Sequence, residues 1–151
     1  MIGESPTNNA SNLVPVITDV ASGKRAKITV FGTDYETRDG SCIRDYIHVM
    51  DLANAHTKAI QFAVGGKQEH NSEVFNLGIG AGVSVLEAIN AFEKVNGVKV
   101  NYELGPRRAG DVVAIYANYE KAAKLLGWEP KRNIDIIMKT AWEWEKVKDT
   151  I

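Results

Sequence analysis

Two short runs hold most of the residues able to do chemistry: Arg44-Asp45-Tyr46-Ile47-His48-Val49-Met50-Asp51 and Arg107-Arg108-Ala109-Gly110-Asp111. Both set arginine beside carboxylate, and each adjoins apolar residues. A guanidinium fork grips phosphate oxygens bidentately, and a fixed aspartate accepts from the hydroxyls of a diol. Two such runs in one chain point to a pocket for a sugar nucleotide. Each residue also has a plainer role open to it. Arg44 fits a phosphate ligand or a structural ion pair with Asp45 or Asp51. Arg107 to Asp111 fits an anion-binding loop, where Gly110 admits a close ligand approach, or a solvated turn. Phe31 fits a stacking surface for a flat base or a core position.

Other chemistries find less support. Gly78-Ile79-Gly80-Ala81-Gly82 resembles a dinucleotide turn, but Val83 stands where the last glycine of that fingerprint belongs. A glycine-rich turn from strand to helix is the better reading. His48, His56 and His70 lack partners at metal-ligand spacing, and structural histidines are expected. None of the five tyrosines has a lysine four residues on, and there is no nucleophile elbow. The single Cys42 cannot form an internal disulfide, fits a reducing cytosol, and reads as a small apolar residue lining the Arg44 region.

The elements that must position these groups follow from periodicity and caps. Met1 to Ala10 reads as an extended loop. Ser11 or Asn12 caps a helix to about Ala21. Strands are expected at Ile28–Phe31, Ile43–His48, Val74–Leu77 and Val98–Leu104, with Val112–Ala117 a strand or extended segment. A helix beginning near Asp51 runs to about Val64 and stops at Gly65-Gly66. Ser84-Val85-Leu86-Glu87 is a capping-box signature opening a helix to about Asn96. Asn118 caps a short helix holding Ala122, Leu125 and Leu126. Asn133 caps a last helix with Ile134, Ile137, Met138, Ala141 and Trp142 on its inner stripe. The alternation predicts an α/β or α+β domain: a small mixed sheet with packed helices.

Composition sets limits. A chain of 151 residues, 44% hydrophobic and 25% charged, suits one globular domain. A net charge of −1 argues against nucleic acid as a partner, because a phosphate backbone calls for a basic excess. No apolar run reaches the roughly 20 residues of a membrane span, and the polar N-terminus is not a signal peptide. A cytoplasmic protein is expected.

With Phe31-Gly32, Asp34-Tyr35, Thr37, Asp39-Gly40, Arg44-Asp45-Tyr46-Ile47-His48-Val49 and Asp51-Leu52-Ala53 taken in order, the chain resembles the UDP-glucose 4-epimerases. These belong to the extended short-chain dehydrogenase/reductase superfamily. Phe75-Asn76-Leu77-Gly78, Ser84-Val85-Leu86, Arg107-Arg108, Gly110-Asp111 and Trp142 with Trp144 agree with the same pattern. The resemblance spans essentially the whole chain but only the C-terminal part of such an enzyme. It implies a UDP-sugar substrate-binding domain over residues 1–151, without the Rossmann NAD-binding domain.

The resemblance also implies roles. Asn12, in the Asn12-Leu13 pair, contacts diphosphate. Thr29, Val30 and Phe31 form the strand that packs against and hydrogen-bonds uracil. Arg44 and Arg108 hold the diphosphate, Asp111 the ribose, and Tyr46 adds a ring to the pocket. Ile115 borders the hexose, where a residue smaller than tyrosine leaves room for a 2-acetamido group, so the N-acetylhexosamine pair is expected as substrate too. The implied reaction interconverts UDP-glucose and UDP-galactose through an NAD-dependent 4-keto intermediate. The nucleotide loop and Tyr/Lys pair it requires are not in this sequence. No catalytic residue is therefore assigned, the chain alone is expected to be inactive, and NAD belongs mainly to the missing domain. A homodimer is expected of the full-length enzyme only. Two other readings are an independent nucleotide-binding or interaction module, and part of a nucleotide-sugar decarboxylase or dehydratase. The spacing from Asp34 to Asp51 speaks against the latter.

Overall fold

The computed structural model describes residues 3–6, 10–67 and 69–150. In chain order the elements are helix α1 (Leu13–Ala21), strands β1 (Ile28–Phe31) and β2 (Ile43–Arg44), helix α2 (Val49–Val64) and strand β3 (Val83–Ser84). Helix α3 (Val85–Asn96), strand β4 (Tyr102–Gly105), helix α4 (Glu120–Leu126) and helix α5 (Ile134–Glu145) follow, with a 3-10 turn at Lys148–Thr150. Two helices begin at their expected side-chain caps, while α4 starts one residue later than Asn118 would place it, at N-cap Tyr119 with no side-chain cap bond, and α2 is capped by His48. Ser84 and Glu87 close a reciprocal capping box on α3, and Gly97 ends it in the left-handed conformation. The Asn133 side chain accepts from the Ile136 N–H. Asn12 precedes α1, but its amide donates to Glu4 instead of capping.

The expected small mixed sheet is two separate pairs: β1 with β4, parallel, and β2 with β3, antiparallel. A single bridge joins Ile43 to Ala114. Of the expected Val98–Leu104 strand only the part from Tyr102 pairs, and three further strands read from apolar runs are shorter or absent. Of Ile43–His48 only the first two residues pair, because the Asp45 carboxylate instead accepts from the Ile79 and Ala117 N–H groups. Val112–Ala117 stays extended apart from the bridge, and Val74–Leu77 pairs with nothing among the described residues. An apolar run marks burial, but a strand also needs a partner edge.

The main core lies between α1, β1, α3 and α5. Ile17, Val30, Ala88, Ile89, Phe92 and Met138 are all but inaccessible there. Phe92 meets Trp142 edge to face, centroids 5.7 Å apart. A second, smaller cluster joins Ala55 of α2, Ala122 of α4 and Trp128, with Phe75 and Leu77 packed against it. Asp51 ties it together: its carboxylate accepts from the Lys131 and Arg132 N–H groups and pairs with the Arg132 guanidinium. The Trp128 indole donates to the Asp51 carbonyl at 2.9 Å.

The face of α2 opposite Asp51, Ala55 and Phe62 also carries apolar residues. Val49, Ala53, Ile60 and Val64 recur at helical spacing and are exposed. A helix apolar on both sides is one made for burial on both sides.

Candidate functional site

A cavity of about 680 Å³ opens between the start of α1, the outer edge of β1 and the loop after β4. This volume suits a small-molecule site. The geometry of β1 explains one wall. Ile28 and Val30 point into the core, so Thr29 and Phe31 point out of it. The Ile28 N–H donates to Asn101 and the Gly32 N–H to Gly105, both on the β4 side. The peptide groups of Thr29 and Phe31 therefore face the other edge, which no strand covers among the described residues. A planar heterocycle laid along that edge meets unpaired donors and acceptors.

Of the candidate residues, Asn12, Leu13, Thr29, Phe31, Arg44, Tyr46, Arg108 and Asp111 all line this cavity. Val30 does not, because its side chain is sealed in the core. Ile115 does not either. It is exposed on the extended segment after Asp111, its N–H bonded to Ile43. Phe31 is 40% exposed, so the core alternative fails for it. Cys42 is buried and lines the cavity beside Arg44.

Arg44 pairs with neither Asp45 nor Asp51. Asp45 is taken up by the two backbone donors and Asp51 by Arg132. Arg44 instead reaches Asp111 at 3.1 Å and donates to the carbonyls of Ile43 and Val112 at 2.8 and 2.9 Å. Arg108 meets the same carboxylate oxygen at 2.9 Å, and its guanidinium carbon lies 5.6 Å from the centre of the Phe31 ring. The Arg108 hydrogen bond holds the Asp111 carboxyl below the usual carboxylate range, burial opposes it, and Arg44 adds to it. Two guanidinium groups thus converge on one carboxylate and leave one positive charge in excess, beside an aromatic face and an open strand edge.

Sequence reasoning passed over Arg25, which adds a third guanidinium to the cavity and donates to the Ala10 carbonyl at 3.4 Å. Its signal was the basic cluster Lys24, Arg25 and Lys27, which has no feature separating the inward residue from its solvated neighbours. Burial keeps the Tyr46 phenol protonated well above its ordinary range. It offers a ring and a donor, not a base.

The glycine run, His48 and His56 have local structural roles. A side chain on Gly78 would run into Asp45 and Ala117, and one on Gly82 into Ile43 and Tyr116. These glycines let chain segments pack closely, and the turn is filled by protein and does not fit a dinucleotide. His48 accepts from the Met50 N–H at 3.0 Å at the start of α2, with its other nitrogen 3.1 Å from the Thr140 hydroxyl. Burial, and the charge of Arg132 next, lower its pKa. His56 bonds the Leu52 carbonyl. Among the described residues no three His, Cys, Asp or Glu side chains gather as metal ligands, and no helix is long and apolar enough to cross a membrane.

The family model for GDP-mannose 4,6 dehydratase matches residues 3–141. The chain belongs to this family. Curated proteins similar to the chain include UDP-glucose 4-epimerases. That of Haemophilus influenzae is 45% identical over 97% of this chain and 42% of its own length. That of Drosophila melanogaster is 45% identical over 95% of this chain and 41% of its own. The chain thus spans about two fifths of the relatives it matches. Among solved structures, the UDP-glucose 4-epimerase of Stenotrophomonas maltophila, with bound NAD and formylated UDP-arabinopyranose, superimposes with a TM-score of 0.94. It shares 42% identity over 99% of this chain and 44% of that one. The Bifidobacterium longum enzyme, in complex with NAD+ and UDP, gives 0.90 at 40% identity, over 98% of this chain and 43% of that one.

Proposed function

We propose that this chain is the C-terminal, UDP-sugar-binding part of a UDP-glucose 4-epimerase, an isomerase of the cytoplasm. One observation carries the reading: Arg44 and Arg108 meet on Asp111 at the mouth of a cavity whose other wall is Phe31 and the free edge of β1. A diphosphate displaces the carboxylate from its two guanidinium partners and takes their charge. Asp111, released, accepts from the ribose diol, while uracil lies along Thr29 and Phe31. Asn12 adds a donor to the diphosphate and Tyr46 a wall. Val30 contributes by stiffening the strand from within the core, and Ile115 borders the hexose.

The epimerase relatives outrank the dehydratase of the family description as a guide to substrate, because several exceed 40% identity along nearly the whole chain. On this reading NAD is held mainly, and the Tyr/Lys pair and the homodimer contact lie, in a portion of the enzyme outside these residues. What its own residues do is bind and orient: two cations fix the diphosphate, and the strand edge fixes the base. A full-length enzyme carrying them accepts the N-acetylhexosamine pair as well as UDP-glucose and UDP-galactose.

Calorimetry on the chain with UDP and UDP-glucose tests this. Binding is expected, weak because one wall of the full cleft is lacking, and Arg44→Ala reduces it by about tenfold or more. Epimerase turnover by the chain alone, or binding indifferent to Arg44, contradicts the proposal.

A further inference from the structure

Arg107 and Arg108 are adjacent in sequence and divide their contacts between two places. Arg108 faces the cavity. Arg107 does not line it. Its Nε donates to the Asp34 carboxylate at 2.8 Å, its Nη2 donates to the Asp34 carbonyl at 2.6 Å, and its guanidinium carbon sits 4.2 Å above the centre of the Tyr35 ring. The hydrogen bond from Arg107 lowers the Asp34 pKa. A fork with two acceptors and an aromatic floor fixes a guanidinium in one orientation.

The loop that receives Arg107 is itself anchored. Tyr35 is buried, and its N–H donates to the Gly40 carbonyl at 3.0 Å. Thr37 bonds the Ser41 carbonyl at 2.7 Å. Asp39 accepts from the Ser41 N–H and hydroxyl and from the Ser84 hydroxyl. Arg38 grips Glu87 of α3 with two hydrogen bonds, at 2.7 and 2.6 Å. Gly32 has φ of +75° and leaves no room for a side chain between the Tyr35 ring and the Arg107 stem. The loop from Gly32 to Ser41 is therefore a rigid block tied to the helix layer.

The loop that carries Arg108 has little else to hold it. Ahead of Asp111 its tie is the Arg107 clamp; behind it come the turn in which the Asp111 N–H donates to the Arg108 carbonyl, the contacts of Arg44 with Asp111 and Val112, and the Ile43 backbone, which bonds Val113 and Ile115. The side-chain contacts of Arg108 are with Asp111 and Phe31, the groups a ligand engages.

We propose that Arg107 is a positioning residue. By locking onto Asp34 and Tyr35 it sets the place of Arg108 and Asp111 over Phe31, and so tunes affinity for a nucleoside diphosphate without touching it. The inference rests on the reading of the cavity as a UDP site. It assigns work to Asp34 and Tyr35, whose hydroxyl is buried with no partner among the described residues.

The test is calorimetric titration of the chain with UDP. Wild type, Arg107→Ala, Arg107→Lys, Asp34→Asn, Arg108→Ala and the Arg107→Ala/Arg108→Ala double variant are compared, each checked for folding by thermal unfolding. Arg107→Ala is expected to weaken binding roughly tenfold, and in the Arg108→Ala background to add less than about twofold, because it acts through Arg108. Arg107→Lys follows Ala, since lysine keeps the charge and loses the fork and the stack. Asp34→Asn, on an exposed side chain that folding tolerates, repeats the effect more weakly.

Unchanged affinity in Arg107→Ala overturns the inference. So does full recovery with lysine, which would mean a mere field of positive charge. Losses that multiply in the double variant also overturn it, because they make Arg107 independent of Arg108. If wild type itself binds no UDP, the reading of the cavity falls, and the positioning role falls with it.

Discussion

The two apolar clusters of this molecule are built to different standards. Around Phe92, four elements close on residues that are all but inaccessible, and every buried face has a partner within the chain. Around Trp128, among the described residues, only Ala55 and Ala122 share full burial in the cluster and the extended segment Val74–Leu77 pairs with no strand, while α2 turns a second apolar stripe outward. Ile60 and Val64 on that stripe are 64% and 84% exposed. The candidate site hangs on the first region: the start of α1, the outer edge of β1 and the loop after β4 form its walls. The second region adds to its ring contacts the polar bonds around Asp51. The difference teaches where this chain is self-sufficient and where it is shaped to be covered.

Substitutions break the comparison in order of size. Phe92→Ala leaves a cavity in the closed core and is expected to cost about 4 kcal/mol in denaturant unfolding, with UDP binding lost along with the fold. Trp128→Ala removes an equally buried ring and the indole hydrogen bond to Asp51. Its cost, about 3 kcal/mol, should appear as faster amide exchange in α2 and α4 while β1 and β4 stay protected. Exchange rising equally in both regions would mean that they unfold as one.

A smaller effect sharpens the first region. The hydrogen bond from Arg38 holds the Glu87 carboxyl down to about 2 from an ordinary 4.5, with burial opposing and the Ser84 N–H helping. A depressed carboxylate pKa stabilises the fold above pH 4.5, and that stability is lost as pH falls through about 2. Because the pair is largely exposed, the contribution is discounted to roughly 1 kcal/mol. Glu87→Gln should remove this part of the acid dependence, read as the unfolding midpoint between pH 5 and pH 2. An unaltered profile would count against the Arg38 tie. The smallest effect belongs to α2. Ile60→Lys should change stability by no more than about 0.5 kcal/mol and reduce any self-association seen by light scattering. A large loss would show that the stripe is already buried.

The same contrast governs what could be read in the sequence. Helices were legible to within a residue or two because their signals are local: the Ser84 box, the Asn133 cap and the glycine at 97 act within one turn. Strands were legible in full only at Ile28–Phe31; Ile43–His48 and Val74–Leu77 have strand-like apolar runs, but pairing depends on an edge elsewhere in the fold. At the site, residue type and spacing marked the runs Arg44–Asp51 and Arg107–Asp111, and only the family resemblance singled out Arg108 and Asp111 within the second. Type and spacing did not identify the partner of Arg44, which lies far along the chain and not at Asp45 or Asp51. Neither Arg25 nor the Arg107 clamp on Tyr35 has a sequence signature, because which of two neighbouring basic residues turns inward is decided by tertiary packing.

The central claim is that the closed region alone carries a uridine diphosphate grip. Titrating the 15N-labelled chain with UDP and following its amide resonances tests it most directly. The account predicts saturable shifts at residues 12–13, 29–31, 44–46 and 108–111, with α2, α4 and residues 74–77 unmoved. Shifts centred on the Trp128 cluster, or none at any UDP concentration, would contradict it.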